Sequence, residues 1–276
     1  MSSPLALCVG VITIDTIALV DRYPAEDERV RAQQIMRSIG GPAAVAAIAL
    51  SRLGISSGVV GTIGDDADGN EILAQLKLEG VNTDGISMAS HLTAGSVIVA
   101  SKEHSSRAIS TRQPPVQSTP SEIAKSLAAS AEWIHVDHVG IHLLDSLDVR
   151  RGGRAKISFD AGYEIADFDV SQVDLFAPND KSQALVVATE GGKGSIAYSL
   201  ETGIVSAPSF SVEIASTLGA GDVFHGAFLA QIIQGRPLHE ALLRANAVAA
   251  LSCRGLDGSS AIPTPTELDS FMSGVK

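Results

Sequence analysis

The stretch LALCVGVITI, residues 5–14, carries no charged position and is rich in β-favouring residues, the pattern of a strand buried on both faces of a parallel sheet. From residue 41 the period changes. GPAAVAAIALSRLG is Ala-rich with Leu50 and Leu53 at helical spacing, and Gly54 supplies a stop signal. A short strand, SSGVVGTIG, follows. The next stretch repeats the alternation: DADGNEILAQLKLEGVNTDGI reads as an amphipathic helix capped by Asp68 or Asn70 and ended by Gly80, leading into the strand TAGSVIVAS. Further on, EIAKSLAAS precedes the strand EWIHVDHVG, LDVRRGGR precedes AKISFDAG, and ALVVATEGG reads as a buried strand entering a glycine-rich loop. Sustained β/α alternation predicts a doubly wound α/β fold with a mostly parallel sheet flanked by helices.

Two segments depart from it. Residues 15–37 and 88–112 carry period-two stretches with charged tips, which predicts a small antiparallel β lid beside the main sheet. Pro114, Pro115 and Pro120 mark a connection across which composition does not shift, so residues 1–276 are read as one domain. NDKSQ runs into ALVVATEGG without the helix that alternation demands there.

Composition narrows the function classes. Twenty basic against thirty-one acidic residues give a net charge of −11, which argues against nucleic acid or an anionic membrane surface as partner. Cys8 and Cys253 lie far apart without metal-ligand spacing and read as buried small hydrophobes. The apolar start has no basic flank and is interrupted by Asp15 short of the ~18 residues of a membrane span, so a cytoplasmic location is expected.

Candidate chemistry centres on STLGAGDVFHGAF, residues 216–228. A glycine-rich turn feeding a helix leaves backbone N–H groups free where the helix dipole favours an anion, so it can hold a phosphate. Asp222 would repel that phosphate, unless it takes a proton from a hydroxyl attacking it. A cap and a tight turn explain the same residues more cheaply, and taken alone that reading is the stronger one. No Walker A or G-x-G-x-x-G motif competes, since Gly194 follows Lys193 and Phe224 holds the last glycine position.

STLGAGDVFHGAF resembles the DTxGAGD signature of the PfkB, or ribokinase-like, family of sugar and nucleoside kinases. GGPAAVAAIALSRLG resembles that family's N-terminal GGNxANVAxxLxxLG block. Between them, GTIGDDADGNEILAQLKLEGVNTDGI is similar to its G-x-D-x-x-G segment, and ANAVAALSCRGLDGSSAIPT to its closing helix and loop. These four blocks stand in the family's order along nearly the whole chain. The resemblance implies a ribokinase-like fold and ATP-dependent phosphorylation of a primary hydroxyl on a small sugar, with Mg²⁺ on the nucleotide. It implies that Asp222 is the catalytic base and that Gly219, Ala220 and Gly221 form the anion hole. Asp15, Gly40 and Gly41 match sugar-contacting positions. Thr189, Gly191 and Gly194 match the nucleotide loop, Asn179 the asparagine near the phosphates, and Asn246 a base-contacting position.

The departures carry information. Pro42 replaces the asparagine of the GGN block, as in members resembling sulfofructose kinase, which leaves the sugar open among fructose-like ketoses, ribose, 2-keto-3-deoxygluconate and sulfofructose. Arg29, with Arg31 and Arg112, is a candidate for substrate contact on the lid, against the simpler reading of solvated charges. Ser216 replaces an aspartate associated with a monovalent cation, leaving potassium dependence open, and Ser182 stands where the family has a glutamate. His135, His138 and His142 fit strand-end positions better than a metal cluster, and His225 either tunes the phosphate site or packs. The exposed lid edge could pair two copies as a homodimer. The alternative from another class is a sugar- or nucleotide-binding sensor that keeps the fold with impaired catalysis.

Overall fold

A computed structural model describes residues 4–103, 106–112, 117–161, 169–177, 185–199 and 202–274. Its main sheet has nine strands: β1 (Ala6–Val9), β4 (Ser57–Gly64), β5 (Asn82–Ala89), β8 (Trp133–Val136), β9 (Lys156–Asp160), β10 (Leu175–Ala177), β11 (Leu185–Thr189), β12 (Ser195–Ser199) and β13 (Gly203–Ala207). Their order is β13-β12-β11-β10-β9-β8-β1-β4-β5. All pairings from β11 to β5 are parallel, and β12 and β13 add antiparallel at one edge. Helices α1 (Pro42–Arg52), α2 (Ala67–Leu78), α4 (Ala220–Ile233), α5 (Leu238–Ser252) and α6 (Pro265–Gly274) contribute to the core on one face, and α3 (Glu122–Ser130) to that on the other. Burial on both faces explains the unbroken apolar runs: in β1, Ala6 and Cys8 point into one cluster and Leu7 and Val9 into the other.

The predicted single strand over 5–14 is two. Gly10, at φ +149°, breaks it because a Cβ there would collide with the Asp137 carboxylate. The chain then enters a second, four-stranded sheet of β2 (Thr13–Val20), β3 (Ala32–Gly40), β6 (Gly95–Ser101) and β7 (Ser106–Arg112), in the order β3-β2-β6-β7. Both outer pairs are antiparallel and the central pair, β2 with β6, is parallel. The lid therefore begins at residue 13 and ends its first hairpin at residue 40, while residues 88 and 89 belong to β5 of the main sheet.

Two local expectations change. The cap of α2 is Asp66 rather than Asp68 or Asn70. Its carboxylate accepts the N–H of Gly69 and both the N–H and hydroxyl of Thr93, so it joins the helix to the start of the lid strand β6. LDVRRGGR contributes no α-helix, since β8 leads into short 3₁₀ turns at 140–143 and 145–147, the second of which ends at Leu147. Only residues 178–184 connect β10 to its parallel neighbour β11, below the dozen or more that a crossover helix takes.

Close helix packing places α4. Gly226 lies against the Ala-rich α1, where a Cβ would come 2.7 Å from the Ala46 carbonyl and 3.0 Å from the Ala49 methyl. Small residues on both helices bring the axes near one another and fix where α4 begins. Among the described residues no helix is long and apolar enough to cross a membrane.

Candidate active site

In an open α/β sheet, the crevice lies at the carboxyl ends of the strands where strand order reverses. Here that point falls between β1 and β8, which are adjacent although β1 continues to β4 on its other side. Two carboxylates stand at these ends. Asp137, just past β8, accepts the N–H of Val11 at 2.6 Å and those of Val139 and Gly140 at 2.9 and 2.8 Å, and so ties the exit of β8 to the bend between β1 and the lid. Asp160 ends β9 and lies 3.6 Å from Nε2 of His225 on α4. His225 thus packs towards a carboxylate under the site.

The N-terminus of α4 opens onto the same crevice. Gly219 precedes the helix at φ +68° and no side chain caps the first turn; the Ala220 N–H makes only a long 3.4 Å contact to the Thr217 carbonyl, so the first-turn N–H groups can turn to an external anion. The turn is backed by the segment 254–262: a Cβ on Gly219 would come 2.8 Å from the Cα of Gly258. That segment is itself held. Arg52 donates from Nη1 to the carbonyls of Ser259, Ser260 and Ile262 at 2.9, 3.1 and 3.0 Å, and pairs with both Glu79 oxygens at 2.7 Å. Asp257 accepts the hydroxyl of Ser38, which lies on β3 two residues before Gly40, so the same segment touches both the lid and the turn. The Ser216 hydroxyl accepts the N–H of Leu218 and helps to form the turn.

Asp222 sits in the first turn of α4, half-buried. Burial pushes its carboxyl well above the usual carboxylate range, and Asp160 and Asp137 add to the rise; Arg107, on β7 of the lid, opposes it. Arg107 also donates to the hydroxyl of Thr217 at 2.9 Å, so a lid side chain crosses to the turn. A raised pKa makes Asp222 a stronger acceptor for a hydroxyl proton when it is ionised.

Asp15 lies on β2 beside Ser38 and Ser96 in register, facing the crevice at only 8% exposure. Thr13 donates to it at 3.1 Å, and desolvation raises its pKa against hydrogen bonds from Ser96 and Thr13. Gly40 is glycine because a Cβ would occupy the Asp15 carboxylate position; Gly41, at φ +90°, passes 2.4 Å from Val11 oxygen by the same measure. The glycine pair therefore brings β3 over Asp15.

Thr189, Gly191, Gly194 and Asn246, predicted together from sequence, line one cavity of about 210 Å³ that continues to Ala220 and Gly221. Gly194, at φ +114°, is required by the approach of the Ala207 carbonyl, whereas a Cβ on Gly191 would meet nothing within 4 Å. Asn246 spends its amide hydrogens on the carbonyls of Ala207 and Pro208, both at 3.0 Å, so it shapes the cavity wall. Cys253 also lines it, and Cys8 is buried in the main sheet. Asn179 and Ser182 lie outside the described residues.

The lid arginines do not converge. Arg29 is exposed in the 21–31 loop beyond the far end of β2 and β3, away from Asp15, and Arg31 is likewise exposed. Arg112 donates to the Thr93 carbonyl at 2.9 Å and lies 3.4 Å from Asp68, at the base of the small sheet. His135 is buried against the Ser158 hydroxyl at 3.1 Å, and no group of three His, Cys, Asp or Glu suited to a metal occurs among the described residues. Sequence reasoning missed Arg107, Asp137, Asp160, Ser38, Asp257 and Arg52. A strand-end aspartate in VDHV and FDAG was the one available signal for two of them.

The profile of the pfkB family carbohydrate kinases matches residues 3–151 and 158–265. A ribokinase of Bacillus subtilis is 28% identical over 294 aligned positions, covering 97% of this chain and 99% of its own. An ATP-dependent ribose-1-phosphate kinase of Halopiger xanaduensis is 27% identical, with 97% of each chain covered. Among solved structures, a ribokinase of Cryptococcus neoformans in complex with ADP superposes with a TM-score of 0.80 at 19% identity, covering 98% of this chain and 100% of that one.

Proposed function

The chain belongs to the PfkB family of carbohydrate kinases, and from that premise we propose how it transfers a phosphoryl group from ATP to a primary hydroxyl of a small neutral sugar. The observation that carries the proposal is the meeting, at one crevice, of an uncapped helix N-terminus, the half-buried Asp222 and a cavity running from Thr189 to Gly221. Residues 1–276 act as one catalytic unit with the four-stranded sheet as its lid.

The residues divide the work as follows. The N–H groups of Ala220 and Gly221 receive the charge that develops on the transferring group, with Gly219 setting the turn. Asp222 orients the attacking hydroxyl and takes its proton late, worth about 10²–10⁴-fold for general-base catalysis. Asp15 binds sugar hydroxyls, with Gly40 and Gly41 allowing the backbone to approach. The Thr189–Gly194 loop and Asn246 bound the nucleotide, and Asn179 belongs with its phosphates. A magnesium ion entering with the nucleotide would supply charge neutralisation at the phosphates. No cation lies in the Asp15–Ser38–Ser96 row, which supports a neutral acceptor, and the Bacillus relative's name makes ribose the first sugar to try.

The lid carries an unpartnered outer face. Ile35 and Val97 lie on one side of the small sheet at 68% and 58% exposure, which supports pairing of two copies through that face. Sedimentation of wild type and Val97→Lys should give a dimer and a monomer; a monomeric wild type overturns the pairing.

Purified protein with ATP, Mg²⁺ and a panel of ribose, ketohexoses and 2-keto-3-deoxygluconate should release ADP in step with one sugar. Asp222→Asn should remove that release. Equal ADP production by the variant overturns the assignment of the base, and ligand-induced thermal stabilisation without turnover on any sugar favours a binding sensor instead.

A further inference from the structure

A second cavity, of about 630 Å³, lies between the far end of the lid and the turn before α4, lined by Leu19, Ala100, Lys102, Arg107, Thr217 and Arg254 among others. It is walled off from the sugar side. Along the inner face of the lid, Ile17 and Ile98 come between the Asp15 row and the Leu19–Ala100–Arg107 row, and they pack with Leu256 and Leu218 from the body. On its other side it shares only Ile214 and Thr217 with the nucleotide cavity.

Three cations face this cavity against one carboxylate, Glu213, in a chain of net charge −11. None of the three takes part in an ion pair among the described residues. Arg107 uses Nη1 for the Thr217 hydroxyl, and a guanidinium has five N–H donors in a fork that suits phosphate. Arg254 makes only a 3.4 Å contact from Nε to the Leu251 carbonyl. Lys102 and Arg107 belong to the lid, Arg254 and Thr217 to the body.

We propose that this cavity is an anion site for a small phosphorylated polyol, distinct from both the nucleotide and the sugar acceptor, with the phosphate held between Lys102, Arg107 and Arg254. The volume suits a small molecule rather than a bare ion. Glu213 repels an unaccompanied anion and accepts from hydroxyls, which selects a phosphomonoester carrying them. Because the three cations come from both sides, an occupant ties the end of the lid to the turn that carries the anion hole.

Glycerol 3-phosphate is the probe, titrated calorimetrically into the full chain alone and then with saturating non-hydrolysable ATP analogue and ribose. Binding should persist in all conditions. Lys102→Gln and Arg254→Gln, both at exposed positions outside the catalytic crevice, should each weaken it about tenfold, as expected for a lost charge-assisted bond. Amide exchange in β7, whose residues are all exposed, should slow when the probe is bound. Displacement by the ATP analogue would assign the anion to the nucleotide's phosphate tail, and displacement by ribose to the acceptor subsite; either overturns the proposal. So does the absence of binding at millimolar probe, or binding indifferent to both substitutions. None of these readouts needs turnover, so they stand apart from failure of the kinase reading.

Discussion

Alanine at Gly219 and, separately, at Gly221 separates what the turn needs for packing from what it needs for chemistry. At Gly219 the new methyl meets two costs. The backbone is at φ +68°, which costs an L-residue about 1–2 kcal/mol, and the Cβ lies 2.8 Å from the Cα of Gly258, an overlap of the kind that costs about 1–3 kcal/mol. Relief by moving Gly258 is resisted, since Arg52 and Asp257 hold that segment. The sum, about 2–5 kcal/mol, is a large part of the roughly 5–15 kcal/mol that stabilises a typical domain, and should lower Tm by roughly 5–15 °C. At Gly221 a Cβ would meet nothing within 4 Å, and alanine in a helix is favoured over glycine by roughly 0.5–1 kcal/mol. Gly221→Ala should therefore leave Tm unchanged or raise it by about 1–3 °C. Its methyl projects into the space assigned to the transferring phosphoryl group, so kcat should fall on the order of 10²-fold, the scale of a lost anion-hole donor. Scanning fluorimetry and coupled ADP release measure the two effects. A Gly221→Ala enzyme with wild-type kcat would show that the empty space is not where the phosphoryl group passes, and an equal Tm loss in both variants would refute the packing argument.

Asp222→Asn should lower kcat by about 10²–10⁴-fold while raising Tm at neutral pH, because a carboxyl whose folded pKa is raised costs stability once pH exceeds its unfolded pKa, and the amide removes that cost. His135 is held neutral by burial, its pKa lowered from 6.5 to about 4. Its contribution is complete above pH 6.5 and is lost as pH falls towards 4, about 3 kcal/mol in all, so denaturant midpoints followed over that range should be flatter in His135→Gln than in wild type. Arg52→Met keeps the aliphatic stem but removes the donors to three carbonyls and Glu79, which should cost about 2 kcal/mol and reduce kcat with little change in KM for ATP; an unaltered kcat would mean the 254–262 segment does not support the turn.

Much of the site could be read along the chain because its pieces are local. The turn before α4, the glycine pair before α1 and the loop after β11 each consist of neighbouring residues and so show as short motifs, although what requires the glycines is distant: Gly258 for Gly219, Asp15 for Gly40, Val11 for Gly41 and Ala207 for Gly194. The lid arginines show the limit. Period two puts Arg29, Arg31 and Arg112 on the lid without saying which end of the sheet each occupies, and it does not single out Arg107. Strand register puts Arg107 on the row opposite Ala100, facing Thr217, while Arg29 falls beyond the last rung and Arg112 at the base.

The sequence by itself determined the layered α/β architecture and the glycine-rich turn into α4, since hydrophobic period and a short motif are both written in consecutive residues. Only the tertiary structure decided that Asp137 and Asp160 act electrostatically on Asp222, that Arg52 from α1 and Ser38 from the lid hold the 254–262 segment behind the turn, and that an apolar seam divides the sugar side from a cationic cavity. Those relations depend on strand order and on side chains separated by up to 219 positions, and no local period records which distant residues a parallel sheet will bring to one edge.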